Sequence, residues 1–197
     1  MARYWAEGPV KTRLARVIGQ DRARAIYKEL AETVWRGLRH ESRAGKLERF
    51  LFVEPASKVN ETAEWLGGAD HFEGQASGDL GRRLVAAFER AFGTGVDRAA
   101  VVGTDAPTVD AELCRRALDE LEDHEVVIVP ALDGGYALLG LARVVPELFS
   151  DMPWSTDQVC RESVTRAERL GLRVALLEPV RDIDEISDWQ AFESERS

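Results

Sequence analysis

Two short acidic turns contain the residues best suited to chemistry in this chain. Residues 103–107 contain Asp105, residues 133–136 begin with Asp133, and each turn follows an apolar run typical of a buried strand. Carboxylates at the carboxyl ends of strands in an α/β sheet face the crevice where such sheets bind ligands. A pair of them there can hold a divalent cation, which in turn holds a phosphate. The two turns therefore indicate a metal and phosphate site.

A basic turn near the amino terminus carries the complementary charge. It begins with Gly8 and Pro9 and contains Lys11 and Arg13, just before a helix. Lys11 and Arg13 can each meet phosphate oxygens, Arg13 in bidentate fashion. Together with the acidic turns, this pattern favours a nucleotide-diphosphate site, although both residues can also be read as ordinary surface cations.

The basic turn is not a P-loop. That motif requires glycine immediately before the lysine and again five residues earlier. Val10 and Trp5 occupy those positions here. The sequence therefore excludes a kinase-like or GTPase-like phosphate loop.

Further carboxylates follow the last predicted strand. The alternating spacing of Asp182 and Asp184 places both on one side of an extended segment, where they can complete a metal shell begun by Asp105. Structural roles compete with this interpretation: Asp184 can cap the following helix, and Asp105 can cap the helix that begins near Asp110, although Asp110 is better placed. Asp133 can simply form a hairpin turn, because Asp-Gly is a strong hairpin signal.

A glycine-rich segment at residues 78–83 opens another predicted helix. Its two glycines and its arginine pair suit contact with a base, a ribose or a phosphate. The alternative is a well-capped helix without a ligand.

Composition limits the class of protein. A chain of 197 residues with 45% hydrophobic and 31% charged residues suits one α/β domain spanning residues 1–197. Its net charge of -9 argues against a nucleic-acid-binding surface. Cys114 and Cys160 form no CxxC pair and the three histidines are scattered, so neither a zinc site nor a disulfide framework is expected. The chain shows no secretory leader and no apolar run near the roughly 20 residues that span a bilayer. These features predict a cytoplasmic protein without a membrane span.

Strands and helices alternate along the chain. The helices are predicted at residues 20–40, 57–66, 78–92, 110–122 and 155–170, and the strands at 49–53, 71–72, 99–102, 126–129, 136–141 and 173–177. Parallel neighbours require crossover connections, and helices of this length supply them. The order predicts a three-layer, Rossmann-like α/β fold with a mainly parallel sheet.

The first strand of such a fold is predicted to be missing or shortened. Only seven residues precede Gly8, and they do not resemble a strand. Buried backbone groups left unpaired cost about 1–3 kcal/mol each, so the central slot must be filled or closed. We expect the residues before Gly8 to be extended and to pair partly with the sheet, or a second chain or shifted strand to cover the edges, which would make the protein a homo-oligomer.

Six motifs in order resemble those of a bacterial family. They lie at residues 8–14, 78–83, 103–107, 133–136, 154–156 and 182–184. Over about residues 3–190 the chain resembles nucleotide-diphospho-sugar transferases of the glycosyltransferase-A-like superfamily, whose wider relatives include molybdenum-cofactor guanylyl- and cytidylyltransferases and phospholactate guanylyltransferases. Its opening departs from the family pattern, because the apolar first strand is lost and both family prolines of the loop are replaced.

This resemblance implies a Rossmann-like sheet with the nucleotide over the carboxyl ends of its strands. It also implies Mg²⁺ or Mn²⁺ on an aspartate such as Asp105, and phosphate contacts from Lys11 and Arg13. The predicted nucleotide-binding residues are Gly8, Lys11, Arg13, Gly78, Asp79, Arg83 and Asp105.

Two types of transfer remain open, each with a nucleotide or nucleotide-sugar and an acceptor as partners. In nucleotidyl transfer, a metal on Asp105 and Asp184 bridges the phosphates while Lys11 and Arg13 stabilise the pyrophosphate leaving group. In glycosyl transfer, the same metal holds the sugar-nucleotide diphosphate and Asp133 contacts the sugar or acceptor. A non-catalytic nucleotide-binding or scaffold protein of the same fold is the alternative from a different class.

Overall fold

The computed structural model describes residues 1–39 and 47–196 and contains two sheets. The first has the order β1-β2-β3 and is parallel throughout, with β1 at Ala2–Arg3, β2 at Phe50–Glu54 and β3 at His71–Gly74. The second has the order β4-β6-β5-β7, with β4 at Ala99–Val102, β5 at Val126–Pro130, β6 at Tyr136–Leu141 and β7 at Val174–Leu176. The predicted α/β fold is confirmed.

One strand of the second sheet runs against its neighbours. β6 is antiparallel to both β4 and β5, whereas β5 and β7 are parallel. Only residues 131–135 connect β5 to β6, and so short a connection permits a hairpin but not a crossover. Asp133 Oδ1 accepts a hydrogen bond from the Gly135 amide at 2.8 Å within this turn, as the hairpin interpretation predicts.

Seven α-helices accompany the strands in the described ranges. They are α1 at Thr12–Ile18, α2 at Gln20–Arg39, α3 at Val59–Leu66, α4 at Leu80–Phe92, α5 at Ala111–Glu120, α6 at Val159–Arg169 and α7 at Ile186–Glu195. Gly19, with φ of 82°, separates α1 from α2. His40, the last residue predicted for α2, lies outside the described residues. No described helix is both long enough and apolar enough to cross a membrane.

The central strand β5 shows why the fold has three layers. Its alternate residues Val126 and Ile128 pack with α4 and α6 in one apolar cluster. Val127 and Val129 pack with α5 in another. Successive side chains of a strand point to opposite faces, so a continuous apolar run requires helices on both faces.

The first strand is shortened, as the sequence predicts, and the residues before Gly8 do pair partly with the sheet. β1 contains two residues, which pair with Val53 and Glu54 at the carboxyl end of β2. The Tyr4 amide donates to Glu54 O at 2.8 Å, and the Met1 amino group donates to Val102 O at 2.7 Å. β1 therefore bridges the carboxyl ends of β2 and β4.

Candidate functional site

Lys11 is the centre of a charged cluster at the carboxyl ends of the strands. Its Nζ lies 3.2 Å from Asp105 Oδ2, after β4, and 3.6 Å from Asp184 Oδ1, after β7. Arg13 Nη1 lies 3.0 Å from Asp184 Oδ2. The structure thus brings together four of the predicted site residues, although they come from three distant parts of the chain.

The basic turn is held in place by its apolar neighbours. Val10 is buried against Tyr27 and Ala31 of α2, and Leu14 of α1 is fully buried in the cluster that also contains Ile183. Lys11 itself adopts a left-handed conformation, with φ of 46° and ψ of 57°. Such a conformation is unfavourable for a residue with a side chain and is common at ligand sites.

The lysine ammonium is a shielded charge. Only 6% of the Lys11 side chain is exposed, against 43% for Asp105 and 31% for Asp184. Burial alone would lower the pKa of Lys11, but the carboxylates of Asp105 and Asp184 outweigh it and raise that pKa above its ordinary value. Lys11 is therefore fully charged at neutral pH, and the two carboxylates balance it.

Backbone and hydroxyl contacts hold the acidic turn at residues 103–107 against its neighbours. The Ile183 amide donates to Asp105 O at 2.9 Å, which ties the segment after β7 to the turn after β4. Thr104 Oγ1 lies 3.1 Å from the hydroxyl of Tyr27. Helical periodicity does not single out Tyr27 as a functional residue, because it occupies a core-facing position of α2.

Asp182 lies within electrostatic range of both Asp133 and Asp105. Burial, with the charges of Asp133 and Asp105, raises the pKa of Asp182 to about 6. Asp133 holds the hairpin turn through Gly135, and its charge acts on Asp182. Its predicted contact with a sugar or acceptor stays a prediction.

We expect Asp182→Asn to stabilise the protein near pH 8 by about 1–3 kcal/mol, because one pKa unit corresponds to 1.36 kcal/mol. The pKa of Asp182 is higher in the folded than in the unfolded state, so ionisation of this carboxyl opposes folding. The free energy of unfolding of the wild type therefore falls as the pH rises from about 4 through 6. The gain should therefore shrink as the pH is lowered to 5. Urea unfolding at both pH values measures it, with Glu168→Gln on the exposed side of α6 as the control. An equal gain at both pH values would contradict the assignment.

In the glycine-rich segment the structure shows a helix cap, and the predicted contact of this segment with a nucleotide stays a prediction. Asp79 caps α4 and accepts a hydrogen bond from the Arg82 amide at 2.9 Å. Arg83 Nη1 lies 2.7 Å from Glu54 Oε2. Arg83 also lines a cavity of about 330 Å³ that reaches Asp105 and Thr104, so it remains close to the cluster.

The structure shows which carboxylates cap α5 and α7. Asp110 caps α5, with its Oδ1 accepting from the Leu113 amide at 2.9 Å. Glu185, and not Asp184, caps α7, in a reciprocal arrangement with Asp188. Asp105 and Asp184 are thereby left to face Lys11.

Asp105 and Asp184 suit a metal ion only when a bound ligand supplies further oxygen donors. In residues 1–39 and 47–196, no group of three or more His, Cys, Asp or Glu side chains is arranged to hold one. Mg²⁺ is usually bound by one or two carboxylates together with substrate phosphates and water. Asp105 and Asp184 fit that pattern once phosphate oxygens are present.

Comparison with known proteins gives a family match. The family model described as "Uncharacterized protein conserved in bacteria (DUF2064)" matches residues 38–156, more than half of the chain. No curated protein sequence matches the chain.

Three solved structures share the fold. A proposed nucleotide-diphospho-sugar transferase from Desulfovibrio desulfuricans G20 is 30% identical with a TM-score of 0.88, and the alignment covers 100% of this chain and 85% of that one. A cytidylyltransferase from Leptospira borgpetersenii is 16% identical with a TM-score of 0.56, covering 84% and 74% of the two chains. A CMP:2-keto-3-deoxy-manno-octonic acid synthetase complexed with CTP is 15% identical with a TM-score of 0.54, covering 100% and 97%. At such low identity the last two show the fold alone.

Proposed function

Given that the chain belongs to the bacterial family described as uncharacterized proteins conserved in bacteria (DUF2064), we propose that it is a metal-dependent transferase acting on a nucleotide or nucleotide-sugar. The proposed activity of its relative from Desulfovibrio desulfuricans supports this class. The observation that carries the proposal is the shielded Lys11 ammonium between Asp105 and Asp184.

The cluster is suited to an exchange of partners when a diphosphate binds. Lys11 and Arg13 now pair with carboxylates, and phosphate oxygens are acceptors at least as good for both cations. Asp105 and Asp184, released from these pairs, would hold Mg²⁺ or Mn²⁺ beside the same phosphates. Such an ion neutralises part of the diphosphate charge and improves the leaving group.

The same residues serve either type of transfer. In nucleotidyl transfer an acceptor oxygen attacks the α-phosphorus and pyrophosphate leaves. In glycosyl transfer the acceptor attacks the anomeric carbon and a nucleoside diphosphate leaves. Negative charge builds on a diphosphate in both reactions, and the preorganised cations Lys11 and Arg13 would stabilise it.

A panel assay of the released product tests the proposal. The protein is incubated with nucleoside triphosphates and nucleotide-sugars, with Mg²⁺, with Mn²⁺ or with chelator, and with mixed sugar, sugar-phosphate and alcohol acceptors. Release of pyrophosphate assigns nucleotidyl transfer, and release of a nucleoside diphosphate assigns glycosyl transfer. Both should require the divalent ion and be lost in Lys11→Met. Metal-dependent binding without turnover would instead indicate a non-catalytic nucleotide-binding protein, and no binding at all would overturn the proposal.

A further inference from the structure

The cavity of about 330 Å³ that reaches Asp105 lies beside the proposed diphosphate site. Its lining includes Leu80 and Leu84 of α4 and Val102 at the carboxyl end of β4. Lys11 pairs with Asp105, so a diphosphate bound to Lys11 has this cavity next to it. A volume of this size falls within the range of small-molecule sites. The cavity can therefore receive the nucleoside that the same ligand carries.

Glu54, the last residue of β2, lines the cavity and pairs with two guanidinium groups. Arg3 Nε lies 3.1 Å and Arg83 Nη1 lies 2.7 Å from the same oxygen, Glu54 Oε2. Each arginine is also held by a backbone carbonyl, Arg3 by Pro9 O and Arg83 by Gly78 O. No hydrogen bond from a described residue reaches Glu54 Oε1, and the side chain is 28% exposed. The arginines therefore orient the carboxylate and leave one oxygen as an acceptor for a ligand.

Gln75, directly after β3, supplies a second oriented acceptor. Its Nε2 donates to Ala2 O at 3.1 Å and to Phe52 O at 3.3 Å, and its backbone amide donates to Val53 O at 2.8 Å. The two carbonyl partners fix which end of the side-chain amide carries the hydrogens. Its Oε1 accepts no hydrogen bond within the described ranges, and Gln75 lines the cavity beside Glu54. Adjacent strand ends thus present two acceptors to one ligand.

A guanidinium, a carboxylate and an amide oxygen together complement the edge of one nucleobase. Guanine presents the acceptor O6 followed by two donors, N1–H and the 2-amino group. Adenine, cytosine and uracil each offer a single donor group on this edge, which leaves either Glu54 or Gln75 without a partner. An acceptor that is shielded from water and left unpaired costs binding free energy. The polar groups of the cavity therefore favour guanine over the other bases.

We propose that Glu54 and Gln75 select guanine, so that the ligand of this site is a guanine nucleotide or a guanine-nucleotide sugar. The inference rests on the proposed function, because it takes the nucleoside to continue from a diphosphate on Lys11. The N1–H and 2-amino groups donate to Glu54 Oε1 and Gln75 Oε1, and O6 accepts from the guanidinium of Arg83, a common partner of this atom. The apolar side chain of Leu84 lies beside the base.

Calorimetric titration of the wild-type protein with Mg²⁺ and a series of diphosphates tests the inference. GDP should bind at least about tenfold more tightly than ADP, CDP or UDP, since each of these leaves an acceptor unpaired. Inosine diphosphate differs from GDP only in lacking the 2-amino group, and we expect it to bind about tenfold or more weakly than GDP. Xanthosine diphosphate carries a carbonyl in place of that amino group and should bind more weakly still.

Glu54→Gln tests the role of the carboxylate in the protein. It should reduce the ratio of GDP affinity to ADP affinity by about tenfold or more, because the amide is a weaker acceptor than the carboxylate and carries no charge. Glu73→Gln is the matched control. Glu73 lies on β3 and pairs with an arginine, Arg90, at 2.6 Å, but it does not line the cavity. This control should keep the wild-type ratio.

Equal binding of GDP and inosine diphosphate by the wild type, or a preference for another base, would overturn the inference and leave the proposed transferase function standing. The inference would also be overturned if Glu54→Gln weakened every nucleotide by the same factor, because Glu54 would then only hold Arg3 and Arg83 in place. If no nucleoside diphosphate binds, the inference and the proposed function are overturned together.

Discussion

Lys11→Met should weaken the binding of a nucleoside diphosphate by about 10- to 100-fold and leave the binding of the free nucleoside nearly unchanged, since a charge-assisted contact contributes about 1.5–3 kcal/mol. Methionine keeps much of the length of the buried side chain and removes only its ammonium. Calorimetric titration with both ligands measures the difference.

Arg22→Met is the matched control for Lys11→Met. It removes one positive charge from the exposed side of α2 and should alter neither affinity. Arg13→Met should show the same selective loss as Lys11→Met, because Arg13 pairs with the same carboxylate, Asp184. An equal loss for nucleoside and diphosphate would show that the substitution disturbs α1 and not a phosphate contact.

Asp105→Asn should abolish the effect of Mg²⁺ on nucleotide binding and cost only about 1 kcal/mol of stability, the usual scale for a partly exposed ion pair. The Asp105 side chain is 43% exposed and Lys11 retains Asp184, so the fold keeps its main contacts. Without Mg²⁺ the variant should bind the diphosphate at least as well as the wild type, because a carboxylate that competes for Lys11 is gone. Titrations of the variant and the wild type with the diphosphate, with and without Mg²⁺, test both expected changes in affinity.

Asp123→Asn, on an exposed residue after α5, provides the control for Asp105→Asn and should retain the full response to Mg²⁺. The interpretation fails if Asp105→Asn binds the Mg²⁺-nucleotide as tightly as the wild type does. It also fails if the variant unfolds, since that would give Asp105 a structural role.

Much of the site could be predicted from the sequence because its residues stand in short local patterns. Asp105 and Asp184 each follow a strand, and Lys11 follows a Gly-Pro turn, so the topology of a sheet brings them to one edge. Apolar periodicity also predicts the order of the helices and strands. It does not predict that Lys11 pairs with both carboxylates, because that pairing depends on distances across the fold.

The remaining differences arise from long-range contacts and from competing local roles. The contact of Arg83 with a nucleotide stays a prediction, whereas its pair with Glu54 depends on the packing of β2 against α4, which the local sequence does not indicate. Glu185 and Asp188 share the cap of α7, so Asp184 was available for Lys11 and Arg13. Tyr27 occupies a core-facing position of α2, and its hydroxyl also reaches Thr104 beside Asp105, a contact that helical periodicity does not predict.

The central claim is that Lys11, Asp105 and Asp184 exchange their partners for a diphosphate and a divalent ion. A crystal structure of the protein with a nucleoside diphosphate and Mn²⁺, analysed by anomalous scattering, tests it most directly. The account predicts a manganese peak between Asp105 and Asp184, with the Lys11 ammonium moved onto a phosphate oxygen. A diphosphate bound elsewhere, or Lys11 still paired with both carboxylates in the complex, would contradict it.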